Sequence, residues 1–394
     1  MKKITTFLMT GATVALLALP VAATTVQDQC TPEAKTALYK TFTDSRKEDQ
    51  PKAYEAAKKY LACPAAAEVT PDEQKIIDYL KKWSTAYEEG MKKITFIKVL
   101  YTDKNFPEAF KLGKEILAVE PDNLKVLAHL AANGYVAVPK NPQLADESLE
   151  YARKALQLLD SGQNVDDWAP LPNREAAVAY SNFTVGTLTV EKEPANSLKY
   201  FIKSAQFETP LKKSPFTYAY IAGAYETGPY AKMSEEYKAK FGGKDETPES
   251  KLMLANINQI VERMIDGYAR AVALAGTDSQ YATQKPLWVE SLTTWYKYLH
   301  NNSDAGMTEY IAGVLAKPLP PEPTPLTSLP TPPATPASTP TGGAGAPANG
   351  NGAAGTTAPA GTTQPATKTS TSVPATPNKP AGAKPATNPD RPRN

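Results

Sequence analysis

Apolar residues in the central part of the chain recur at steps of three and four positions. Such steps place side chains along one face of an α-helix, whereas a half-buried strand alternates every second residue. No convincing alternation of the strand type occurs between residues 24 and 317. The clearest helical stripes are Ala53, Ala57, Tyr60 and Leu61; Leu254, Ile257, Val261, Ile265, Tyr268 and Val272; and Trp288, Leu292, Trp295 and Leu299. The pattern predicts an all-α body over 24–317.

Sequence signals for helix starts agree with this pattern. Thr70-Pro71-Asp72-Glu73 combines a hydroxyl N-cap, a proline at the first helical position and a carboxylate three residues after the cap. Thr247-Pro248-Glu249 repeats the cap and the proline. Both segments predict that a helix begins at the proline.

The first residues have the layout of a secretory signal peptide. Met1-Lys2-Lys3 is positively charged, residues 4–19 are mostly apolar, and Val21-Ala22-Ala23 supplies small residues for cleavage. The alternative is a permanent membrane anchor, but the run is short and rich in threonine compared with the roughly 20 apolar residues of a span. We therefore expect a signal peptide at 1–23, export to the periplasm, cell envelope or exterior, and no integral membrane span in the mature chain.

From Pro318 to Asn394 the composition changes to proline, threonine, alanine, glycine and serine. Little apolar surface is left to offset the entropy of ordering the backbone. The composition therefore predicts a disordered, semi-extended tail at 318–394. Such a tail is suited to act as a spacer or as a contact to cell-wall and surface polymers.

The charge balance argues against one class of partner. Lys and Arg number 43, and Asp and Glu number 41. Nucleic-acid-binding proteins usually carry a basic excess or basic runs, and neither is visible. We therefore expect no nucleic-acid partner.

The two cysteines of the chain are Cys30 and Cys63. Export would place both in an oxidising compartment, where paired thiols form disulfides. They flank a first helix pair predicted at about 32–47 and 51–62, and the start of the first helix lies beside the end of the second in an antiparallel pair. We predict a Cys30–Cys63 disulfide that closes this hairpin; two unpaired thiols are the alternative.

No catalytic or metal-binding motif is visible in the sequence. It has no Gly-x-Ser-x-Gly elbow and no Ser-x-x-Lys pair, no zinc pattern and no calcium loop. His129 and His300 are distant in sequence, and the acidic pair Asp166-Asp167 stands alone in a loop beside Trp168. Gly242-Gly243-Lys244 lacks the other residues of a phosphate-binding loop. We predict no catalytic residue, no metal and no cofactor.

A pattern of small and apolar residues repeats in the second helix of the predicted hairpins. Its clearest copy has Ala109, Gly113 and Ile116 at offsets of four and three, and Pro121 closes the unit. This resembles the tetratricopeptide repeat (TPR), in which an alanine starts the second helix and a proline ends the unit. Looser copies are Ser148, Ala152 and Ala155; Ser197, Phe201 and Ser204; and Tyr268 with Ala271. First helices match more weakly, best at Tyr218, Ile221, Ala222 and Tyr225.

The copies do not keep the regular TPR period of about 34 residues. Insertions occur around 64–70, 136–145, 160–173 and 227–250. The resemblance implies stacked antiparallel helix hairpins, an irregular TPR-like α-solenoid, followed by the proline-rich tail. A non-repeating helical bundle is the alternative, because small residues permit close helix packing in either architecture.

The resemblance also implies a concave face on the first helices that holds an extended peptide or a partner helix. Candidate residues for such a face are Lys98, Tyr101, Tyr135 and Asn182. The residue set with which one TPR sub-class grips a C-terminal carboxylate is not reproduced, so that ligand is not expected. The sequence thus predicts a non-enzymatic protein-binding or scaffold protein. A structural surface component with a wall-spanning or glycosylated tail, and a hydrolase with an unrecognised site, are the alternatives.

Overall fold

The computed structural model describes residues 30–63 and 69–329. Within those residues every regular element is a helix and no strand is present, which confirms the predicted all-α class. The predicted signal peptide at 1–23 and the part of the predicted tail beyond Leu329 lie outside the described residues. The chain divides into two compact units, Met1–Asn105 and Phe106–Asn394.

The first unit is built around a helix pair and a long third helix. Its helices are α1 Pro32–Ser45, α2 Gln50–Leu61 and α3 Pro71–Lys98, and a π-helical turn at Val99–Asp103 continues α3. Helix α2 packs against both α1 and α3. The buried cluster of this unit contains Phe42, Ala53, Ala56, Ala57, Tyr60 and Leu80. The apolar stripe predicted in α2 therefore forms its buried face.

Polar side chains cap the starts of all three of these helices. The Thr31 hydroxyl accepts a hydrogen bond from the Ala34 amide, and the Asp49 carboxylate accepts one from the Lys52 amide. Thr70 accepts from the Glu73 amide at 3.2 Å, with a proline at the first position of α3. Each cap satisfies a backbone N–H that has no partner inside the helix, and the helix start predicted at Thr70 is confirmed.

A disulfide joins Cys30 to Cys63, and their Cα atoms are 5.4 Å apart. Cys30 precedes α1 and Cys63 follows α2, so the bond lies at the open end of the hairpin, opposite the connection between the two helices. This confirms the predicted pairing. The bond closes a loop with a sequence separation of 33 residues.

The second unit contains the other helices of the described chain, joined by short connections. Their bounds are α4 Phe106–Val119, α5 Leu124–Ala137, α6 Ala145–Asp160, α7 Arg174–Thr189, α8 Pro194–Ala205, α9 Pro215–Tyr225, α10 Ala231–Phe241, α11 Pro248–Ala275, α12 Lys285–Leu299 and α13 Met307–Val314. Single turns of 3₁₀-helix lie at Pro142–Leu144, Pro210–Lys213 and Ser279–Tyr281, and a π-helical turn lies at Glu226–Tyr230. The predicted insertion at 227–250 thus holds a helix of its own, α10.

Helices of the second unit pack in a helical-repeat-like order. Helix α5 packs against α6, α7 against α8, and α9 against α11. Contacts of α7 with α5 and α6, and of α8 with α9, join one pair to the next. The small residues predicted at the crossings are fully buried: Ser148, Ala152, Ala155, Ser197 and Ser204.

Gly267 lies where α11 approaches α9. A Cβ atom at this position would lie 3.0 Å from both the Ala222 Cβ and the Tyr218 carbonyl oxygen. The carbonyl belongs to the helix backbone, so it cannot move aside as a flexible side chain would. The absence of a side chain at Gly267 therefore sets how closely these two helices pack.

We expect Gly267→Ala to lower the free energy of unfolding by about 1–3 kcal/mol, because the methyl group overpacks this crossing. Gly223→Ala in α9 is the matched control, because a Cβ there would have no neighbour within 4 Å. Alanine is the better helix former by about 0.5–1 kcal/mol, so the control should be stabilised. Chemical denaturation followed by circular dichroism measures both changes. Two variants of equal stability would contradict the close crossing.

After α13 the described chain continues to Leu329 without regular secondary structure. The composition predicts disorder from residue 318 onward, whereas residues of the segment 318–329 are hydrogen-bonded to α11. Hydrogen bonds from side chains of α11 reach this segment as far as Leu326. A composition-based expectation does not contain such contacts, because they come from a helix far away in the sequence.

Candidate functional site

Helix α11 carries a row of polar side chains, Asn256, Arg263 and Arg270, which we call the α11 row. Each lies seven positions after the one before it. This spacing is close to two helical turns, so the three side chains lie on one side of the helix. Apolar residues of the same helix, including Ile257 and Val261, are buried against its neighbours.

Asn256 makes two hydrogen bonds with the backbone of a single residue. Its Nδ2 donates to the Leu326 carbonyl oxygen at 3.2 Å, and its Oδ1 accepts from the Leu326 amide at 2.7 Å. The carboxamide therefore pairs with a peptide group as a neighbouring strand would.

Arg263 contacts the same segment closer to α13. Its Nε donates to the Pro321 carbonyl oxygen at 2.7 Å. The carbonyl groups of a proline-rich segment have few N–H partners nearby, because proline itself lacks an N–H. A guanidinium group supplies such donors without any acceptor of its own.

Arg270 holds the start of the segment and is itself held by a carboxylate. Its Nε lies 2.6 Å from Asp266 Oδ1, and the two side chains are only 5% and 8% exposed. Its Nη2 donates to the carbonyl oxygens of Lys317 at 3.0 Å and Pro318 at 2.8 Å. Buried charges are tolerated when they are paired and hydrogen-bonded. Asp266 thus orients the guanidinium towards the segment.

The spacing of the α11 row fits an extended polypeptide. From Asn256 to Arg270 the helix rises about 21 Å, at about 1.5 Å per residue. From Pro318 to Leu326 a polyproline II chain spans about 25 Å, at about 3.1 Å per residue. The segment runs antiparallel to α11, because Arg270 contacts residue 318 and Asn256 contacts residue 326.

Burial along the segment has a period of three residues. Pro320, Pro323 and Leu326 are half-buried, as is Leu319, whereas the positions between them are exposed: Pro321, Glu322, Thr324 and Pro325. Polyproline II helices have three residues per turn, so every third side chain lies on one edge. One edge of the segment therefore faces the helical body and the others face solvent.

Tyr225, the last residue of α9, has a buried hydroxyl with no hydrogen-bond partner among the described residues. Burial raises the pKa of Tyr225, and the carboxylate of Glu322 raises this pKa further. The positive charge of Arg263 acts on the same pKa in the opposite direction. The hydroxyl therefore lies within electrostatic range of both the segment and the α11 row.

Two of the residues predicted for a partner-binding face, Lys98 and Tyr101, lie in the first unit. Lys98 is the last residue of α3, and its Nζ lies 2.8 Å from Asp103 Oδ2 in an exposed ion pair. Tyr101 is half-buried in the π-helical turn. Exposed ion pairs of this kind contribute little stability, so the Lys98 side chain remains available to solvent.

The other two predicted residues, Tyr135 and Asn182, lie in the second unit. Tyr135 is half-buried on α5, and its ring stands perpendicular to that of Phe183 with centroids 5.0 Å apart. Asn182 is buried in α7, where its Nδ2 donates to the Val178 carbonyl oxygen at 2.8 Å. Asn182 therefore faces the interior of the unit, and Tyr135 packs beside α7.

His129 and Asp167 lie within electrostatic range of each other, because the charge of each acts on the pKa of the other. His129 is fully buried in α5; burial, followed by the charge of Lys125, lowers its pKa to about 4. The His300 ring stacks on Tyr296 with centroids 3.9 Å apart. Asp167 forms an exposed ion pair with Lys125 at 2.7 Å.

Across residues 30–63 and 69–329, no three His, Cys, Asp or Glu side chains are grouped to bind a metal ion. Over the same residues, no helix combines the length and the apolar character that a bilayer span requires. No family model, curated protein or solved structure matches the chain. The geometry of the α11 row is therefore the basis for a functional proposal.

The sequence interpretation did not identify the α11 row. The available signal was three polar residues at seven-residue steps beside the apolar stripe at 254–272. This signal predicts a polar side of a helix but not its partner. The contacted backbone atoms lie 47 to 70 residues further along the chain, beyond the reach of local periodicity.

Proposed function

We propose that this chain is a non-enzymatic binding protein of the bacterial envelope or exterior, in which TPR-like helix pairs carry a site for an extended polypeptide. Export is supported by the charged and apolar N-terminal residues and by the Cys30–Cys63 disulfide, because disulfides persist in oxidising compartments. The TPR-like architecture is supported by the packing order of α5 to α9 with α11 and by the buried small residues at the crossings.

One observation carries the proposal: Asn256, Arg263 and Arg270 all hydrogen-bond to backbone atoms of one extended segment. Backbone atoms are common to every polypeptide, so affinity from such contacts does not require particular ligand side chains. Hydrogen bonds from a guanidinium group are charge-assisted and about twice as strong as neutral ones. The α11 row therefore has the chemistry of a polypeptide-binding site.

The site differs in position from the groove that the TPR resemblance implies. In that family the peptide lies on the inner faces of first helices, whereas Tyr268 and Ala271 of α11 match second-helix positions. The proposal therefore rests on the hydrogen bonds of α11 and not on the family groove. Lys98, Tyr101 and Tyr135 remain candidate contacts for a different partner surface.

The test is to convert the bound segment into a separate ligand. A protease site in a short glycine-serine linker is inserted between Ala316 and Lys317 of the full-length chain, and the purified protein is cleaved. We expect the fragment 317–394 to remain bound after cleavage and to dissociate on dilution. When the fragment is added back, its binding should be saturable. Arg263→Ala should weaken its binding by about tenfold or more, because a hydrogen bond to a charged group contributes about 1.5–3 kcal/mol.

Arg153→Ala is the matched control for this experiment. Arg153 is an exposed arginine on α6 of the same unit, so its removal changes the net charge equally and leaves the α11 row intact. Size-exclusion chromatography and isothermal titration with the fragment measure the binding. A fragment that separates completely after cleavage, or equal weakening by both substitutions, would overturn the proposal.

A further inference from the structure

The segment bound by the α11 row has a particular backbone chemistry. Residues 318–326 read Pro-Leu-Pro-Pro-Glu-Pro-Thr-Pro-Leu. Prolines present carbonyl acceptors without N–H donors, and they hold the chain in the extended polyproline II form at low entropic cost. Arg263 and Arg270 supply donors to these carbonyls, and the one ligand N–H used by the α11 row belongs to Leu326.

We infer that the α11 row is a site for proline-rich polypeptides of partner proteins, and that residues 318–326 occupy it in cis as a competitor. The inference rests on the proposed function and adds the ligand class and the control of access. The preferred ligand is a polyproline II chain with an apolar residue at every third position, as Pro320, Pro323 and Leu326 are spaced.

The side chains that bind the cis segment become more exposed to solvent along its length. At its start, two carbonyls are bound by Arg270, whose side chain is 5% exposed and paired with Asp266. Further along, the Arg263 side chain is 18% exposed, and Asn256 at the far end is half-buried. The part from Pro321 onward can therefore leave the α11 row while Lys317 and Pro318 stay bound.

Residues 318–326 leave one nearby polar group, the Tyr225 hydroxyl, without a hydrogen bond. This hydroxyl is buried near the segment and has no partner among the described residues. A buried hydroxyl without a partner disfavours the state that buries it. A partner chain that offers an acceptor to Tyr225 gains an interaction that residues 318–326 do not make.

Competition in cis has a measurable consequence. A tethered ligand acts at an effective concentration on the order of millimolar. The apparent affinity of the intact chain for a separate peptide is lowered in proportion to the fraction of molecules whose site is open. Weakening the cis segment should therefore raise the affinity for a separate peptide by at least about tenfold.

The experiment uses the full-length chain and a fluorescein-labelled synthetic peptide with the sequence of residues 318–329, followed by fluorescence anisotropy. Leu326→Asp and Pro323→Asp each place a charge on the buried edge of the cis segment, and Thr324→Asp places the same charge on an exposed position as the matched control. We expect both buried-edge variants to bind the peptide at least tenfold more tightly than the wild type, and Thr324→Asp to behave as the wild type. Circular dichroism of each variant verifies that it is folded.

Two further peptides test the ligand class on the same variants. One has glycine at every proline, and the other has the native composition in an order that breaks the three-residue period. We expect each to bind at least tenfold more weakly than the native sequence. Equal binding of all three peptides would overturn the proline-rich class but leave polypeptide binding intact. Equal affinity of wild type and buried-edge variants would overturn cis competition, and no binding of any peptide to any protein would overturn the proposed function as well.

Discussion

The double variant Cys30→Ser/Cys63→Ser should lose roughly 3–4 kcal/mol of local stability in the first unit. The bond closes a loop of 33 residues, and its removal lets the unfolded chain sample many more conformations. The buried cluster of the unit is small and includes three alanines, so little apolar burial is available to compensate. Hydrogen exchange of α1 and α2, measured by mass spectrometry, should accelerate by about two orders of magnitude or more.

The second unit supplies the internal control for this experiment. The disulfide lies wholly in the first unit, so exchange of α5 to α9 should be the same in the variant and the wild type. Wild-type protein treated with a reductant should reproduce the variant, because both lack the same covalent bond. Unchanged exchange of α1 and α2 in the variant would show that helix packing alone holds the hairpin.

The helices of this chain follow closely from local chemistry. The apolar stripe of α11 is read from its three- and four-residue steps, and Ile257, Val261 and Ile265 are indeed buried. Thr70 and Thr247 cap helices whose first residues are prolines. The Cys30–Cys63 bond follows from the same hairpin reasoning. These features depend on residues within a few positions of one another or on a single helix pair.

The site on α11 depends on information of another kind. A proline-rich composition predicts disorder because proline-rich chains bury little apolar surface and leave their carbonyls to water. That prediction omits the Arg270 and Arg263 side chains, which replace water as donors to the Lys317, Pro318 and Pro321 carbonyls. Burial of Asn182 was missed for a related reason. Its amide is satisfied inside α7, so a polar residue type did not indicate an exposed position.

Replacing Arg270 alone should strongly destabilise the second unit. Arg270→Met removes the guanidinium and leaves the Asp266 carboxylate, which is 8% exposed, without a charged partner. Removing one member of a buried ion pair costs about 3–5 kcal/mol. We expect a loss of this size in chemical denaturation, together with faster hydrogen exchange of the Leu326 amide, because the start of the segment at Lys317 and Pro318 is no longer held.

The second substitution Asp266→Leu separates the two consequences of losing Arg270. Replacing both members of a buried pair with apolar residues is often close to neutral for stability, so Asp266→Leu/Arg270→Met should recover most of the lost free energy of unfolding. It does not restore the donors to the Lys317 and Pro318 carbonyls, so the Leu326 amide should continue to exchange quickly. If the double variant restored slow exchange as well, packing rather than hydrogen bonding by Arg270 would hold the segment on α11. A double-mutant cycle on Asp266 and Arg270 then gives the coupling between the two side chains.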